Sequence, residues 1–244
     1  DEPFTKLLTQ GMVLNHIYSR KTAKGAKEYF WPHDVEHVQD DAGKVIGAKL
    51  INAVDSADGL LPVGTAIDYE GVGTMSKSKN NGVDPQALIA EYGADTARIY
   101  TMFTAPPEAT LEWNDSAVEG SYRFLRRVWN FGVKLSTMNN IAACAESTGA
   151  KPEFNKESKA LRLEIHTVFK QIDYDYQRMQ YNTVVSGAMK LLNALEDFKN
   201  DGSAGSTAAA WEGFGILLRA IYPATPHLTH ALWAGLGYAA QHGD

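Results

Sequence analysis

A single cysteine, Cys144, stands in 244 residues, so no internal disulfide can staple the fold and the chain suits a reducing compartment. No apolar run approaches the ~20 residues that cross a bilayer. The opening, DEPFTKLLTQ, also lacks the basic-then-apolar order of a secretion signal. These absences predict a cytoplasmic chain without membrane contact. A surplus of positive charge is missing too: the net charge is −6. Lys+Arg trail Asp+Glu along the whole chain, nine to eleven over 1–83, five to seven over 84–145 and nine to eleven over 146–244. Nonspecific nucleic-acid binders usually present a basic domain, so any RNA contact here must come from local patches. What is present in quantity is apolar: 44% hydrophobic residues suffice for a sizeable core in one or two domains.

The most informative stretch is Gly71 to Pro85. Lys77, Lys79, Ser76 and Ser78 lie in a loop with glycines at 71, 73 and 82, just before a helix start at Asp84-Pro85. Glycine permits positive φ and close backbone approach, Asn80 and Asn81 tolerate left-handed conformations, and a lysine ammonium on a flexible stem can follow a moving charge. The loop is equipped to close on a polyphosphate. A P-loop would need its lysine directly after the second glycine, and no such register exists here. A solvated lysine-serine turn is the plain alternative.

Met75-Ser76-Lys77-Ser78 resembles the last four letters of the KMSKS signature of class I aminoacyl-tRNA synthetases, with Thr74 where the first lysine belongs. The ordered series around it narrows the likeness: Glu2-Pro3-Phe4, Leu7-Leu8, Gln10 to Val13, MSKSKNNGVDP, Tyr92 to Arg98, Leu111-Glu112-Trp113, Val118-Glu119-Gly120 and Arg123-Phe124-Leu125. Together these words are similar to bacterial leucyl-tRNA synthetases. Beginning in mid-motif at Asp1 and ending without a clear stop, the chain reads as an excised piece.

The resemblance implies a mostly α fold with a small α/β portion. The end of a Rossmann-type catalytic domain is expected over 1–19, a β-rich leucine-specific insert over 20–70, the signature loop over 71–83 and connecting helices over 84–115. An antiparallel helical domain of the anticodon-binding type, truncated, follows over 116–244. The residues themselves agree in outline. Met12-Val13-Leu14 reads as a buried strand after a Gly11 break, following a short helical pattern of Phe4, Leu7 and Leu8. Short β-prone pieces between 29 and 63 are separated by turns at Asp40 to Gly43 and Ala57 to Gly59.

Within the insert, His33-Asp34-Val35-Glu36-His37 has the spacing of a zinc-binding helix, but Trp31-Pro32 and the flanking valines favour a strand or turn. No metal site is expected. Asp84 is a helix cap with Pro85 at the first position, Leu88, Ile89 and Tyr92 form the apolar face, and a second helix from Asp95 to about Phe103 buries Ala97, Tyr100 and Met102 or Phe103. From Ser116, an apolar stripe of Val118, Tyr122, Leu125, Trp129 and Val133 predicts a helix of at least five turns, then a loop over 139–156. Further helices follow at about 157–174, 176–198, 207–221 and 226–236, the first two parted at Asp173-Tyr174-Asp175. Phe169, Tyr174, Tyr176, Tyr181, Phe198, Trp211 and Phe214 read as core, and His227 and His230 as histidines packed on aromatics.

By the resemblance, the full-length protein activates leucine with ATP, carried with Mg2+, to leucyl-adenylate and transfers it to tRNA(Leu) as a monomer. This piece alone is expected to be inactive. Lys77 takes the catalytic role; Thr74, Met75, Ser76, Ser78 and Lys79, with Gly11, Met12 and Val13, are the ATP neighbours, and Lys79 is a substitute for the missing first lysine. Arg20, Lys21, Lys24, Arg123, Arg127 and Lys134 are candidate tRNA contacts, with Lys27 beside them; each also fits a solvated surface cation. Arg98 is read as the anchor of an acid. A sibling synthetase for isoleucine, valine or methionine, or a noncatalytic tRNA-binding module that kept a decayed loop, are the alternatives.

Overall fold

The computed structural model describes residues 8–9, 11–146 and 152–243. Of the expected words, Glu2-Pro3-Phe4, Leu7 and Gln10 lie outside them. The described residues form two compact units, one within 11–85 and 109–113, the other within 8–9, 86–108, 114–146 and 152–243.

The first unit is a sheet. β1 (Val13–Lys21) is its centre, flanked by β2 (Lys27–Phe30) and β7 (Ala66–Thr74), with β4 (Val45–Leu50) and β3 (Val35–Gln39) beyond β7. These pairings are all antiparallel. A short β8 (Leu111–Glu112) adds the one parallel pairing among the described strands, against Val13 and Leu14. β5 (Val54–Ser56) and β6 (Gly59–Leu61) make a separate hairpin. The turns fall where Asp and Gly predict them: Asp40 Oδ1 accepts from the Ala42 and Lys44 amides, at 3.0 and 2.9 Å, ahead of the β4 strand. Tyr18, Phe30, Val35, Leu50 and Ile67 form the small core.

The sheet curls. His37 on β3 touches His16 and Tyr18 on β1, although β7 and β4 stand between those strands in the hydrogen-bonded order. His33 sits in a single 3-10 turn, Pro32–Asp34, stacked on Trp31, while His37 is on the strand that follows. Among the described residues no three His, Cys, Asp or Glu side chains gather as a metal-binding group.

The second unit is helical: α1 (Pro85–Tyr92), α2 (Ala94–Thr104), α3 (Asp115–Glu146), α4 (Lys156–Gln177), α5 (Tyr181–Asp197), α6 (Ala204–Ile221), α7 (Pro226–Leu236) and α8 (Tyr238–His242). Its core gathers Phe124, Ile165, Leu191, Leu192, Phe214 and Leu217. Side-chain caps set two starts: Asn155 accepts from the Ser158 amide at 2.7 Å, and Ser203 from that of Ser206 at 3.2 Å.

Several expectations for this unit fail. α3 runs on to Glu146 instead of yielding to a loop at 139, because nothing between 139 and 146 breaks a helix. Residues 147–151 of the expected loop lie outside the described residues. The stripe that α3 buries is Val118, Ser121, Phe124, Leu125, Val128, Phe131 and Leu135, so Trp129 and Val133 are exposed, at 45% and 50%. The helix is apolar over a wide arc, and packing on α2, α6 and α7 selects the side that holds Phe124 and Phe131. α4 passes straight through Asp173-Tyr174-Asp175 and stops only at Arg178, where Met179 takes a left-handed φ of 57°. Phe169 and Tyr174 consequently lie on its exposed side rather than in the core. α1 buries none of its residues, and Ile99 replaces Ala97 as a buried residue of α2.

Two polar anchors also differ. Arg98 donates to the Pro223 and Ala224 carbonyls, at 2.7 and 3.1 Å, and so holds the end of α6 rather than an acid. His227 is held by Asp95, at 2.7 Å from Nδ1, rather than by aromatic rings; the other Asp95 oxygen accepts from the Leu228 amide at 2.7 Å. A buried carboxylate thus serves one of the amides left without an intrahelical partner at the start of α7, where the helix dipole favours negative charge.

Candidate phosphate-binding loop

β7 delivers the loop. Gly71 has a φ of +87°, which favours glycine there, and a Cβ on Gly73 would come within 2.7 Å of Ile17 Cδ1, so that side chain would have to shift. Gly82 has neither a positive φ nor a near neighbour, and its expected role is not seen. After Thr74 the chain passes through extended Ser76 into a 3-10 turn of Lys77–Lys79, closed by Asn80 in the left-handed region, φ 51° and ψ 24°. Lys77 is exposed at the tip and makes no ion pair among the described residues. Lys79 is half-buried beside the charge of Glu70. The Ser76 and Ser78 hydroxyls lie 3.3 Å apart.

The base of the loop is pinned. Asn81 is fully buried; its Oδ1 accepts from the Ser76 amide at 2.9 Å, and its Nδ2 faces the Thr74, Gly73 and Asn15 carbonyls at 3.3–3.4 Å. Asn80 Nδ2 donates to the Tyr29 carbonyl at 2.9 Å. Glu70 accepts from Ser19 and pairs with Lys27 at 2.5 Å. The Lys27 bond foremost, then the Ser19 bond and the charge of Lys79, hold the Glu70 carboxyl below its usual range.

The Gly11-Met12-Val13 stretch meets this loop. The Met75 amide donates to the Val13 carbonyl at 3.1 Å, and Leu14 pairs with Thr74. Strand β8 docks on the other side through Leu111 N–H to the Met12 carbonyl, 3.0 Å, and Trp113 N–H to that of Leu14, 2.8 Å. Gly11 admits the chain there, since a Cβ would sit 2.3 Å from the Ala109 oxygen. One expectation fails: Met12 is 57% exposed, because Val13 is where the paired strand begins. The GMV, MSKS and LEW words, far apart in sequence, thus share one strand junction.

A group that sequence reasoning missed lies on the curled face. The His16 Nδ1 is 3.0 Å from the Tyr69 hydroxyl, and the Tyr18 hydroxyl is 2.7 Å from His37 Nε2. Burial, then Tyr69, pushes the Tyr18 hydroxyl up to about 12. Burial, then the charge of His16, pulls His37 down, so the neutral forms are favoured. Four rings from three strands thus meet on one face. The signal available was the two-residue spacing of His16 and Tyr18, which puts both on one face of a strand.

Residues 158–242 match the family described as the anticodon-binding domain of tRNA ligase. Over 248 aligned residues the chain is 77% identical to the leucine–tRNA ligase of Acidovorax sp. strain JS42, covering 100% of this chain and 27% of that protein. The leucine–tRNA ligase of Polaromonas naphthalenivorans strain CJ2 is likewise 77% identical, over 244 residues and 27% of its length. By sequence the chain belongs with the leucine–tRNA ligases. It spans about a quarter of the length of these relatives.

Among solved structures, the Agrobacterium radiobacter K84 agnB2 LeuRS–tRNA–LeuAMS ternary complex aligns with a TM-score of 0.56 at 24% identity, over 67% of this chain and 21% of that one. Mycobacterium tuberculosis methionyl-tRNA synthetase bound by methionyl-adenylate aligns with a TM-score of 0.52 at 17% identity, over 65% and 35%. Both likenesses speak to the fold of this ligase segment: class I synthetase neighbours, mostly helical, with a small sheet.

The six candidate tRNA cations of the segment divide by environment. Arg20 is paired with Asp58 at 2.6 Å, and Arg127 with Glu196 and, at 2.6 Å, the Asn193 side chain. Lys21, Lys24, Arg123 and Lys134 are exposed. Arg123 and Lys134 share α3, whereas Lys21 and Lys24 border the turn between β1 and β2. No helix among the described residues is long and apolar enough to cross a membrane.

Proposed function

We propose that this chain supplies the pyrophosphate-gripping loop and the helical tRNA domain of a ligase that charges tRNA(Leu). Leucine's carboxylate oxygen attacks the α phosphorus of ATP, carried with Mg2+. The bond from that phosphorus to the bridging oxygen breaks, pyrophosphate leaves, and leucyl-adenylate remains. A hydroxyl of the terminal adenosine of tRNA(Leu) then takes the leucyl group, releasing AMP.

Lys77 is the catalytic residue of this reading. One observation carries it: an exposed lysine with no ion pair among the described residues stands at the tip of a turn whose base is fixed by buried hydrogen bonds. A donor held in place before charge develops stabilises the transition state more than the ground state. Lys79 stands in for the lysine that Thr74 replaces, Ser76 and Ser78 add hydroxyl contacts, and Met75, with Gly11, Met12 and Val13, borders the nucleotide. The domain division at 19, 70, 83 and 115 belongs to the same proposal, as do the tRNA contacts of the six cations, a cytoplasmic site and a monomeric whole enzyme. The segment alone is expected to be inactive.

Leucine-dependent ATP–pyrophosphate exchange by the intact ligase tests the role of Lys77. The Lys77→Ala variant should lose ~10²–10³ in rate, the scale of one preorganised donor. An unchanged rate would remove Lys77 from the reaction. Thr74 motivates a second reading, a noncatalytic tRNA-binding module, which wild-type exchange activity would exclude.

A further inference from the structure

We infer that Asn81 is a positioning residue for phosphate chemistry, acting through the loop backbone that presents Lys77; this rests on the reading of the loop given above. Its side chain is fully buried and satisfied at both ends, by the Ser76 amide at 2.9 Å and by the carbonyls of Thr74, Gly73 and Asn15 at 3.3–3.4 Å. Those partners lie on the near end of the loop and on both strands that carry it, while Asn81 itself is the far end. One amide therefore closes residues 76–81 into a clasp, with Lys77, Ser78 and Lys79 at the tip.

The chemistry of the clasp needs an amide of this length. Aspartate would keep an acceptor for Ser76 but turn an oxygen toward three carbonyl oxygens. Alanine would leave the Ser76 amide and the carbonyls without their partner in a buried place. Glutamine is one methylene too long for a packed interior. Asn80 next to it closes the turn in the left-handed region and ties its own amide to Tyr29 at 2.9 Å, so the tip pivots on one fixed residue and one tethered one. A loop shifted by about 1 Å misplaces the lysine, and displacement on that scale is known to cost on the order of 10² in rate.

The test uses the intact ligase and leucine-dependent ATP–pyrophosphate exchange. Asn81→Ala should lower kcat by about 10² while the KM for leucine stays at the wild-type value. Adding Asn81→Ala to Lys77→Ala should lower the rate little further, because two residues that act as one unit are not additive. Fully additive losses, or an Asn81→Ala enzyme with wild-type rates, overturn the inference. If Asn81→Ala loses its cooperative thermal transition, Asn81→Asp takes its place, and full activity in that variant, or loss of the transition in both, overturns it as well. Lys77→Ala separates the two levels: an unchanged rate there defeats the phosphate-binding reading itself, whereas a loss there with wild-type Asn81→Ala defeats this inference alone.

Discussion

In the sheet unit, polar residues, Asn15, Ser19 and Asn81, are among the buried positions around the signature loop, whereas the most buried positions of the helix bundle include Leu191, Leu192, Phe214 and Leu217. The bundle's buried polar groups cluster at helix ends, with Ser158 and Ser206 3.1 Å apart near two caps and Asp95 at the start of α7. Hydrogen bonds are directional and lose their value within a few tenths of an ångström, while apolar contact is roughly proportional to area and tolerant of direction. A region that must hold a backbone in one geometry therefore gains from buried amides. A region that must supply stability gains from buried leucine and phenylalanine, each contributing about 1.5–3 kcal/mol on full burial.

The contrast can be broken from the bundle side first. Phe214→Ala empties a fully buried site against Phe131 and should cost about 3–5 kcal/mol of stability, read from denaturant unfolding. A loss below about 1 kcal/mol would mean that the core collapses around the gap. Lys77→Ala reverses the pattern: the exchange rate falls by ~10²–10³, about 2.7–4 kcal/mol of barrier, and the unfolding midpoint stays where it was. A shifted midpoint would show that the loop lysine also supports the fold.

Asp95→Ala comes next in size. It strands the Leu228 amide and frees His227, and should cost about 1–3 kcal/mol. Asp95→Asn keeps one acceptor and should recover part of that, which separates the hydrogen bonds from mere volume.

The smallest effect concerns pH. Arg162 foremost, at 2.6 Å, and His166, at 2.9 Å, hold the Glu212 carboxyl below its ordinary value of 4.5. A depressed carboxyl stabilises the fold above its unfolded value and loses that contribution as pH falls through the lower folded one. The pair is about one-third exposed, so the contribution is under about 1 kcal/mol. Glu212→Gln should therefore be slightly less stable than wild type at neutral pH, with the gap closing below pH 4.5. A gap that persists in acid would refute the charge argument.

Helix α7 was legible in sequence because Pro226 opens it and Gly237, at φ 88°, closes it. The end of α4 was not, since Asp173-Tyr174-Asp175 looks like a break while the stop depends on Met179, a residue with no turn preference. The exposed Trp129 makes the same point about faces: on a helix apolar over a wide arc, the neighbours decide which side is inside. At the site, Lys77 and its serines stand together in the chain and could be read directly. Asn81 looked like a flexible loop residue, and His16, Tyr18, His37 and Tyr69 looked unrelated.

Local order along the chain was enough to determine the turn residues, the capped helices and the run of lysine and serine at 76–79, because those depend on φ, ψ and neighbours a few residues away. Only the folded sheet decided that Val13 bonds Met75, that four rings from three strands meet and that Asn81 closes the loop. Those contacts span gaps of up to 66 residues, and strand pairing and curl, neither readable from a neighbour's identity, bring them within hydrogen-bond reach.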